Sequence, residues 1–233
     1  GRGMIRVARG LGGALPGLAR RSLVRGARGE AVSKRLGTLA LRDLRAQGVE
    51  PMALLSMMAR LGSSDPMELR SEMAELIDGF ELSHFGTAPT KFDVADLGPL
   101  TAKYLHALPF SEVADEIAAL GVPADLAEAF WNAVHENIEV RKDLTTWWTL
   151  VTEGAEPVID AEDAEFVTEA MALLPEGALT GESWGAWTAA VKEATGRRGR
   201  GLFMPLRKAL TGMAHGPDMA ALLPRLKVIK ARA

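Results

Sequence analysis

A short segment near the start of the chain carries residue types that handle phosphates. It reads GEAVSKR over residues 29–35 and lies just before the first helical pattern. On a loop, Ser33 and Lys34 can bring a hydroxyl and an ammonium group to a polyphosphate, where the positive charge is useful as a phosphoryl or adenylyl group transfers. A solvent-exposed basic turn has the same composition. These residues alone therefore leave both interpretations open.

A second basic segment lies near the end of the chain, where residues 195–201 read TGRRGRG. The spacing of its glycines leaves backbone amides and guanidinium groups free to approach phosphates, and the helix predicted to follow adds two more cations. The candidate polyanion-binding residues are Arg197, Arg198, Arg200, Arg207 and Lys208.

The apolar residues of the helix predicted to follow this segment have a purely structural interpretation. Leu202, Phe203, Leu206 and Leu210 recur with a helical period and can close a core. The two interpretations are compatible, because apolar side chains can pack inward while the arginines face a nucleic acid. We therefore expect Phe203 to pack with the leucines.

The charge of the chain is segregated along its length. Residues 1–35 carry 9 Lys/Arg and 1 Asp/Glu, residues 36–195 carry 9 and 28, and residues 196–233 carry 9 and 1. Basic ends on an acidic body suit a polyanion that is bound at two places, since Lys and Arg release counterions from phosphates. Solvated basic tails are the alternative.

Composition excludes several classes of protein. The chain has no cysteine, so disulfides, thiol nucleophiles and cysteine-ligated zinc are excluded. Four scattered histidines predict no metal site. The longest apolar stretch, residues 52–61, is far shorter than the roughly 20 residues of a membrane span, which predicts a soluble protein.

Two kinds of sequence follow one another along the chain. Residues 1–28 are rich in Gly and Arg and have no sustained period, so we expect a low-complexity basic extension, disordered and without a folded partner in this chain. Translation out of frame is one explanation of such a composition. From residue 36 onward, helical patterns alternate with glycine and proline stops and no alternating strand run is found. The sequence predicts an all-α fold.

Several segments in order resemble one known family. Val32-Ser33-Lys34-Arg35 is similar to the Lys-Met-Ser-Lys-Ser signature loop of class I aminoacyl-tRNA synthetases, in the form found in bacterial-type glutamyl-tRNA synthetases. The chain resembles the C-terminal portion of that family, starting at this loop. Further segments with this resemblance are LGTLALRDL at 36–44, DGFELSHF at 78–85, KFD at 91–93, YLHALP at 104–109, TGRRGRGLFMPLR at 195–207, ALTG at 209–212 and HGP at 215–217.

The resemblance implies a fold and a role for each part. Residues 29–35 correspond to the signature loop of the catalytic domain, in which Lys34, with Val32, Ser33 and Arg35, contributes to ATP binding. Residues 36–109 correspond to a helical stem-contact domain. Two anticodon-binding subdomains follow at 110–156 and 157–233. The three arginines of the second basic segment and the two cations of the helix that follows would then bind tRNA.

The resemblance also implies an activity, the ATP-dependent attachment of glutamate to tRNA. The implied partners are a glutamate-accepting tRNA, ATP, glutamate and, by family, Mg²⁺, in a cytoplasmic monomer without zinc and without a membrane partner. The N-terminal Rossmann core of the family has no counterpart in the sequence, so we expect a truncated form that binds tRNA without catalysing the reaction alone. The alternatives are a non-catalytic tRNA-binding module and the translated remnant of a disrupted gene.

Overall fold

The computed structural model describes residue 10, residues 23–26, residue 29 and residues 40–232. Helices dominate the regular structure of these residues, so the predicted all-α fold is confirmed. The α-helices are α1 (Leu41–Ala46), α2 (Pro51–Arg60), α3 (Met73–Asp78), α4 (Leu97–Ala107), α5 (Ala114–Ala119), α6 (Ala124–Val134), α7 (Asp143–Glu153), α8 (Ala164–Ala172), α9 (Ser183–Thr195), α10 (Arg200–Thr211) and α11 (Met219–Leu222). Short 3-10 turns lie at Leu82–His84, Val94–Asp96, Phe110–Glu112, His135–Asn137, Ala161–Asp163, Leu223–Arg225 and Lys230–Arg232.

Proline and glycine mark many of the helix ends, as the sequence predicted. Pro51 occupies the first turn of α2, where a missing N–H leaves no hydrogen bond unmade. Gly196 and Gly212 follow the C-termini of α9 and α10 with φ values of 71° and 70°. Because L-residues pay a steric cost in this left-handed region, glycine is the favoured residue at such helix ends.

Two residue patterns that are typical of helix starts do not begin a helix here. Asp65-Pro66 is one of them, yet α3 begins only at Met73. The backbone before α3 is instead held by a side chain of α2, because Ser56 Oγ accepts a hydrogen bond from the Arg70 N–H at 3.0 Å. Ser111, a residue type favoured at helix caps, lies inside a 3-10 turn, and Val113 precedes α5.

The chain divides into two compact units, Gly1–Tyr104 and Leu105–Ala233. This division falls within α4, a few residues before the predicted boundary at 109. The second predicted boundary, at 156, lies inside the second unit, so the separation of two anticodon-binding subdomains stays a prediction.

The first unit contains a small sheet that the sequence analysis did not predict. Strand β1 (Val24–Gly26) pairs in parallel with β2 (Thr90–Phe92), with Val24 opposite Thr90. The expectation that residues 1–28 have no folded partner is therefore wrong for this strand. The Gly-Arg composition concealed the strand because backbone hydrogen bonds, rather than apolar side chains, provide most of its pairing.

The core of the first unit joins β2 to α1, α2 and α4. Its buried members are Leu44, Ala53, Met57, Leu61, Phe92, Leu97 and Leu100, and Val24 of β1 packs against them. A polar cluster lies in the same unit, where Asp65 accepts a hydrogen bond from Arg60 at 2.6 Å and contacts His84 Nδ1 at 2.8 Å. Arg60 also donates to the Gly79 carbonyl at 2.7 Å. One guanidinium group therefore connects α2 to the segment that follows α3.

The core of the second unit is built on tryptophan. Trp131, Trp147 and Trp187 are 2%, 5% and 1% exposed and pack in the core. The indole N–H of Trp187 donates to the Ala170 carbonyl at 2.8 Å, so this buried polar atom is satisfied. Other fully buried side chains of this unit are Phe130, Ile117, Ile138, Leu144, Leu202, Leu206 and Met219.

The two glycines that end α9 and α10 provide a matched test of packing. A Cβ at residue 212 would lie 2.9 Å from the Glu156 carbonyl oxygen, whereas one at residue 196 would meet nothing within 4 Å. Both substitutions to alanine carry the left-handed backbone cost of roughly 1–2 kcal/mol. We expect Gly212→Ala to lower the free energy of unfolding by about 1 kcal/mol more than Gly196→Ala, because backbone must also shift. Urea unfolding of the two variants measures the difference, and equal losses would contradict the contact.

Candidate RNA-binding site

The second basic segment forms a tight turn between α9 and α10. Gly196 ends α9, and Gly199, with φ of 55°, precedes α10 as its N-cap residue. The Gly199 carbonyl accepts from the amides of Leu202 and Phe203, both at 3.1 Å, which begins the helix. These two glycines reverse the chain within four residues and bring three arginines together.

Arg197 is bound to the protein itself. Its Nη1 donates to Asp163 Oδ1 and, at 3.3 Å, to the Gly201 carbonyl. Its guanidinium carbon lies 4.1 Å from the centre of the Phe166 ring, an arrangement in which the cation is attracted by the ring face. Arg197 therefore connects the turn to the segment that begins α8, and much of its donor capacity is used there.

Two further residues predicted to bind tRNA, Lys208 and Arg207, make contacts within the unit. Lys208 Nζ lies 2.6 Å from Asp160 Oδ2, and the lysine side chain is 18% exposed. Arg207 Nη1 donates to the Pro217 carbonyl at 2.8 Å. Burial lowers the pKa of the Arg207 guanidinium from its usual value, and the charge of Asp218 partly offsets this effect. Contacts of these residues with RNA stay a prediction.

Arg198 and Arg200 differ from the other three. Both are exposed, and among the described residues neither side chain has a hydrogen-bond or ion-pair partner. Arg200 lies at the edge of an open groove of about 500 Å³ whose other lining residues are Asp160, Glu162, Asp163, Arg197, Gly201, Met204, Pro205 and Lys208. Asp163 and Asp160 of this groove are paired with Arg197 and Lys208, and Glu162 is an exposed carboxylate in the same lining. Arg198 and Arg200 carry the positive charge that is available to a partner.

An aromatic residue that the sequence analysis assigned to the core lies beside these arginines. Phe203 is 45% exposed, so the expectation that it packs with the leucines is wrong. On α10, Leu202 and Leu206 are buried, while Phe203 lies three residues after Arg200 and four before Arg207, on the side of the helix that these cations share. Helical spacing measured from the arginines would have identified this position.

The predicted ATP-binding residue Lys34, together with Val32, Ser33 and Arg35, lies outside the described residues. In the part of the chain that the structure describes, no group of three or more metal-ligating side chains is assembled. No described helix is long and apolar enough to cross a membrane.

The fold is that of the glutamate–tRNA synthetases. A crystal structure of glutamate-tRNA synthetase from Elizabethkingia anophelis matches with a TM-score of 0.72 at 20% identity, over 95% of this chain and 50% of that one. A glutamate tRNA ligase from Elizabethkingia meningosepticum, in complex with its amino acid, gives a TM-score of 0.73 at 20% identity, over 98% of this chain and 52% of that one. At this identity the likeness shows the fold alone.

Sequence comparison finds relatives of high identity over nearly the whole chain. The chain is 66% identical over 228 residues to glutamate–tRNA ligase 1 of Ruegeria pomeroyi and 62% identical to that of Roseobacter denitrificans, in both cases over 98% of this chain and 52% of the relative. It is a relative of the glutamate–tRNA ligases and corresponds to their C-terminal half, which confirms the resemblance drawn from the motifs. The chain spans about half the length of the curated relatives it matches. No protein-family profile matches it.

The same alignments revise the interpretation of the basic N-terminal segment. An alignment over 228 residues of a 233-residue chain includes most of residues 1–28. This contradicts the interpretation of the segment as sequence translated out of frame. Composition was misleading, because richness in Gly and Arg carries no information about common ancestry.

The different surroundings of two adjacent arginines give a testable contrast. Arg197→Ala removes a charge-assisted hydrogen bond and a ring contact, so we expect it to lower the free energy of unfolding by about 1–2 kcal/mol. Arg198→Ala removes an exposed side chain and should change it by less than about 0.5 kcal/mol. Urea unfolding of both variants measures the contrast, and a larger loss for Arg198→Ala would show that the assignment is reversed.

Proposed function

We propose that this chain is the tRNA-binding half of a ligase that attaches glutamate to tRNA in an ATP-dependent reaction. One observation supports the tRNA contact above the others: Arg198 and Arg200, exposed and without an ion-pair partner among the described residues, lie on a turn that Arg197 fixes to the body of the unit. The high identity to glutamate–tRNA ligases supports the choice of tRNA as the polyanion.

The turn suits a phosphate backbone for electrostatic reasons. The two arginines lie on a turn whose backbone is already ordered. Binding of phosphate therefore costs little conformational entropy of the backbone. A guanidinium group can hold a phosphate through two parallel hydrogen bonds. Binding of this kind releases counterions and weakens as the salt concentration rises.

The remaining assignments of the proposal follow the family. Residues 36–109 contact the acceptor side of the tRNA, and residues 110–156 and 157–233 contact its anticodon side. Lys34 assists ATP binding, and glutamate and Mg²⁺ are the other partners of the complete reaction. The protein acts as a monomer in the cytoplasm.

A second candidate is a tRNA-binding protein without chemistry of its own. It is favoured by the basic turn, because exposed arginines can bind phosphates without taking part in any reaction. The two candidates share the tRNA contact and differ in whether the chain belongs to an enzyme that activates glutamate.

The tRNA contact predicts a specific loss of affinity. We expect the double variant Arg198→Ala/Arg200→Ala to weaken tRNA binding by about ten-fold or more and to reduce the slope of log K against log salt by roughly 0.7–0.9 for each phosphate that the variant no longer binds. A gel-shift titration of tRNA at several salt concentrations measures both quantities.

Lys142→Ala provides the control, because it removes an exposed positive charge from the same unit outside the turn. We expect this variant to bind as the parent does. A loss of affinity equal to that of the double variant would mean that overall charge, rather than the turn, determines binding.

Pyrophosphate exchange tests whether the 233-residue polypeptide activates glutamate by itself. We expect the 233-residue polypeptide alone to show no glutamate-dependent and tRNA-dependent exchange of pyrophosphate into ATP, because the described residues contain only a two-stranded sheet of three residues per strand and no nucleotide-binding sheet. Labelled pyrophosphate measures the exchange. Exchange by the purified polypeptide would reject the non-catalytic candidate.

A further inference from the structure

Phe203 remains exposed to solvent although its neighbours Leu202 and Leu206 on the same helix are buried. It is a large apolar side chain on a twelve-residue helix, α10, and 45% of it remains in contact with solvent. Exposing an aromatic face of this size forgoes burial that would favour folding. The position is therefore a candidate for contact with a partner.

The ring of Phe203 lies next to the ring of Trp184. It lies 6.2 Å from the ring of Trp184, and that ring lies 5.6 Å from the buried Trp187 in an edge-to-face arrangement. Trp187 is fixed in turn by its hydrogen bond to the Ala170 carbonyl. Three neighbouring aromatic rings thus connect the surface to the core.

The charges around this ring indicate what kind of partner it fits. Arg200 lies one helical turn before Phe203, and Arg198 lies on the adjoining turn, both exposed and without partners in the described residues. An apolar surface on a protein partner would leave these cations facing an apolar group, at a cost in desolvation. A nucleotide presents a flat π-face and a phosphate side by side, which complements an aromatic ring next to arginines.

We infer that Phe203 is a stacking platform for an unpaired nucleobase of RNA, with Arg200 and Arg198 binding the phosphates on either side of that nucleotide. The inference rests on the proposed function and adds to it a preference for single-stranded over duplex RNA at this site. A base inside a duplex is stacked on its neighbours, so its face is not available to the ring.

The test compares three variants of the full chain. Phe203→Leu keeps an apolar side chain and removes the aromatic face, Phe203→Tyr keeps the face, and Phe80→Leu removes an aromatic residue of similar exposure, 42%, from the other unit. The probes are a short single-stranded oligoribonucleotide carrying one 2-aminopurine and the duplex it forms with its complement. Affinity is measured by titration, and stacking by quenching of 2-aminopurine fluorescence. Thermal unfolding verifies that each variant is folded.

We expect Phe203→Leu to weaken binding of the single strand by about ten-fold, within the range measured for stacking of one base, and to abolish the quenching. Binding of the duplex should be unchanged. Phe203→Tyr should stay within about two-fold of the parent, and Phe80→Leu should match it.

Several outcomes would overturn the inference, and they separate it from the proposed function. If Phe203→Leu leaves single-strand binding unchanged while Arg198→Ala/Arg200→Ala weakens tRNA binding, the platform is rejected and the tRNA contact stands. Equal losses for single strand and duplex also reject the platform. If the parent chain binds neither probe nor tRNA, both proposals fail. If Phe203→Leu alters only self-association of the chain in sedimentation, the ring belongs to a protein interface.

Discussion

The basic turn depends on the contact of Arg197 with Asp163 and Phe166. A segment that contains three glycines in the seven residues 195–201 has a large conformational entropy to lose, and a cluster of like charges adds repulsion. Pairing one of the three arginines with a carboxylate removes part of that repulsion, and its ring contact ties the turn to α8. The neighbouring arginines can then point outward from a fixed backbone. Arg197 thus stabilises the turn, while Arg198 and Arg200 stay exposed to solvent.

The helical architecture was predictable because its signals are local. Glycine stops, a proline in a first turn and apolar residues with a helical period indicated the succession of short helices that the structure contains. The segment before α3 was not predictable in the same way. Its backbone is fixed by Ser56, which lies in the preceding helix, and a contact between distant residues leaves no periodic pattern in the sequence.

The candidate site was predictable as a region but not residue by residue. Composition and glycine spacing identified the turn, yet they could not distinguish Arg197 from Arg198, since the difference lies in what surrounds each side chain. Asp163 and Phe166, which engage Arg197, are more than thirty residues away in the chain. Phe203 was missed because apolar residues were counted as one set, although only part of that set faces the core.

The parallel pair of strands in the first unit has a consequence for how that unit assembles. β1 and β2 are far apart in the chain, so bringing them together requires closing a long loop before their hydrogen bonds can form. Helical hairpins such as α5 and α6 close only short loops. The cost of closing this loop therefore favours formation of the sheet after the local helices.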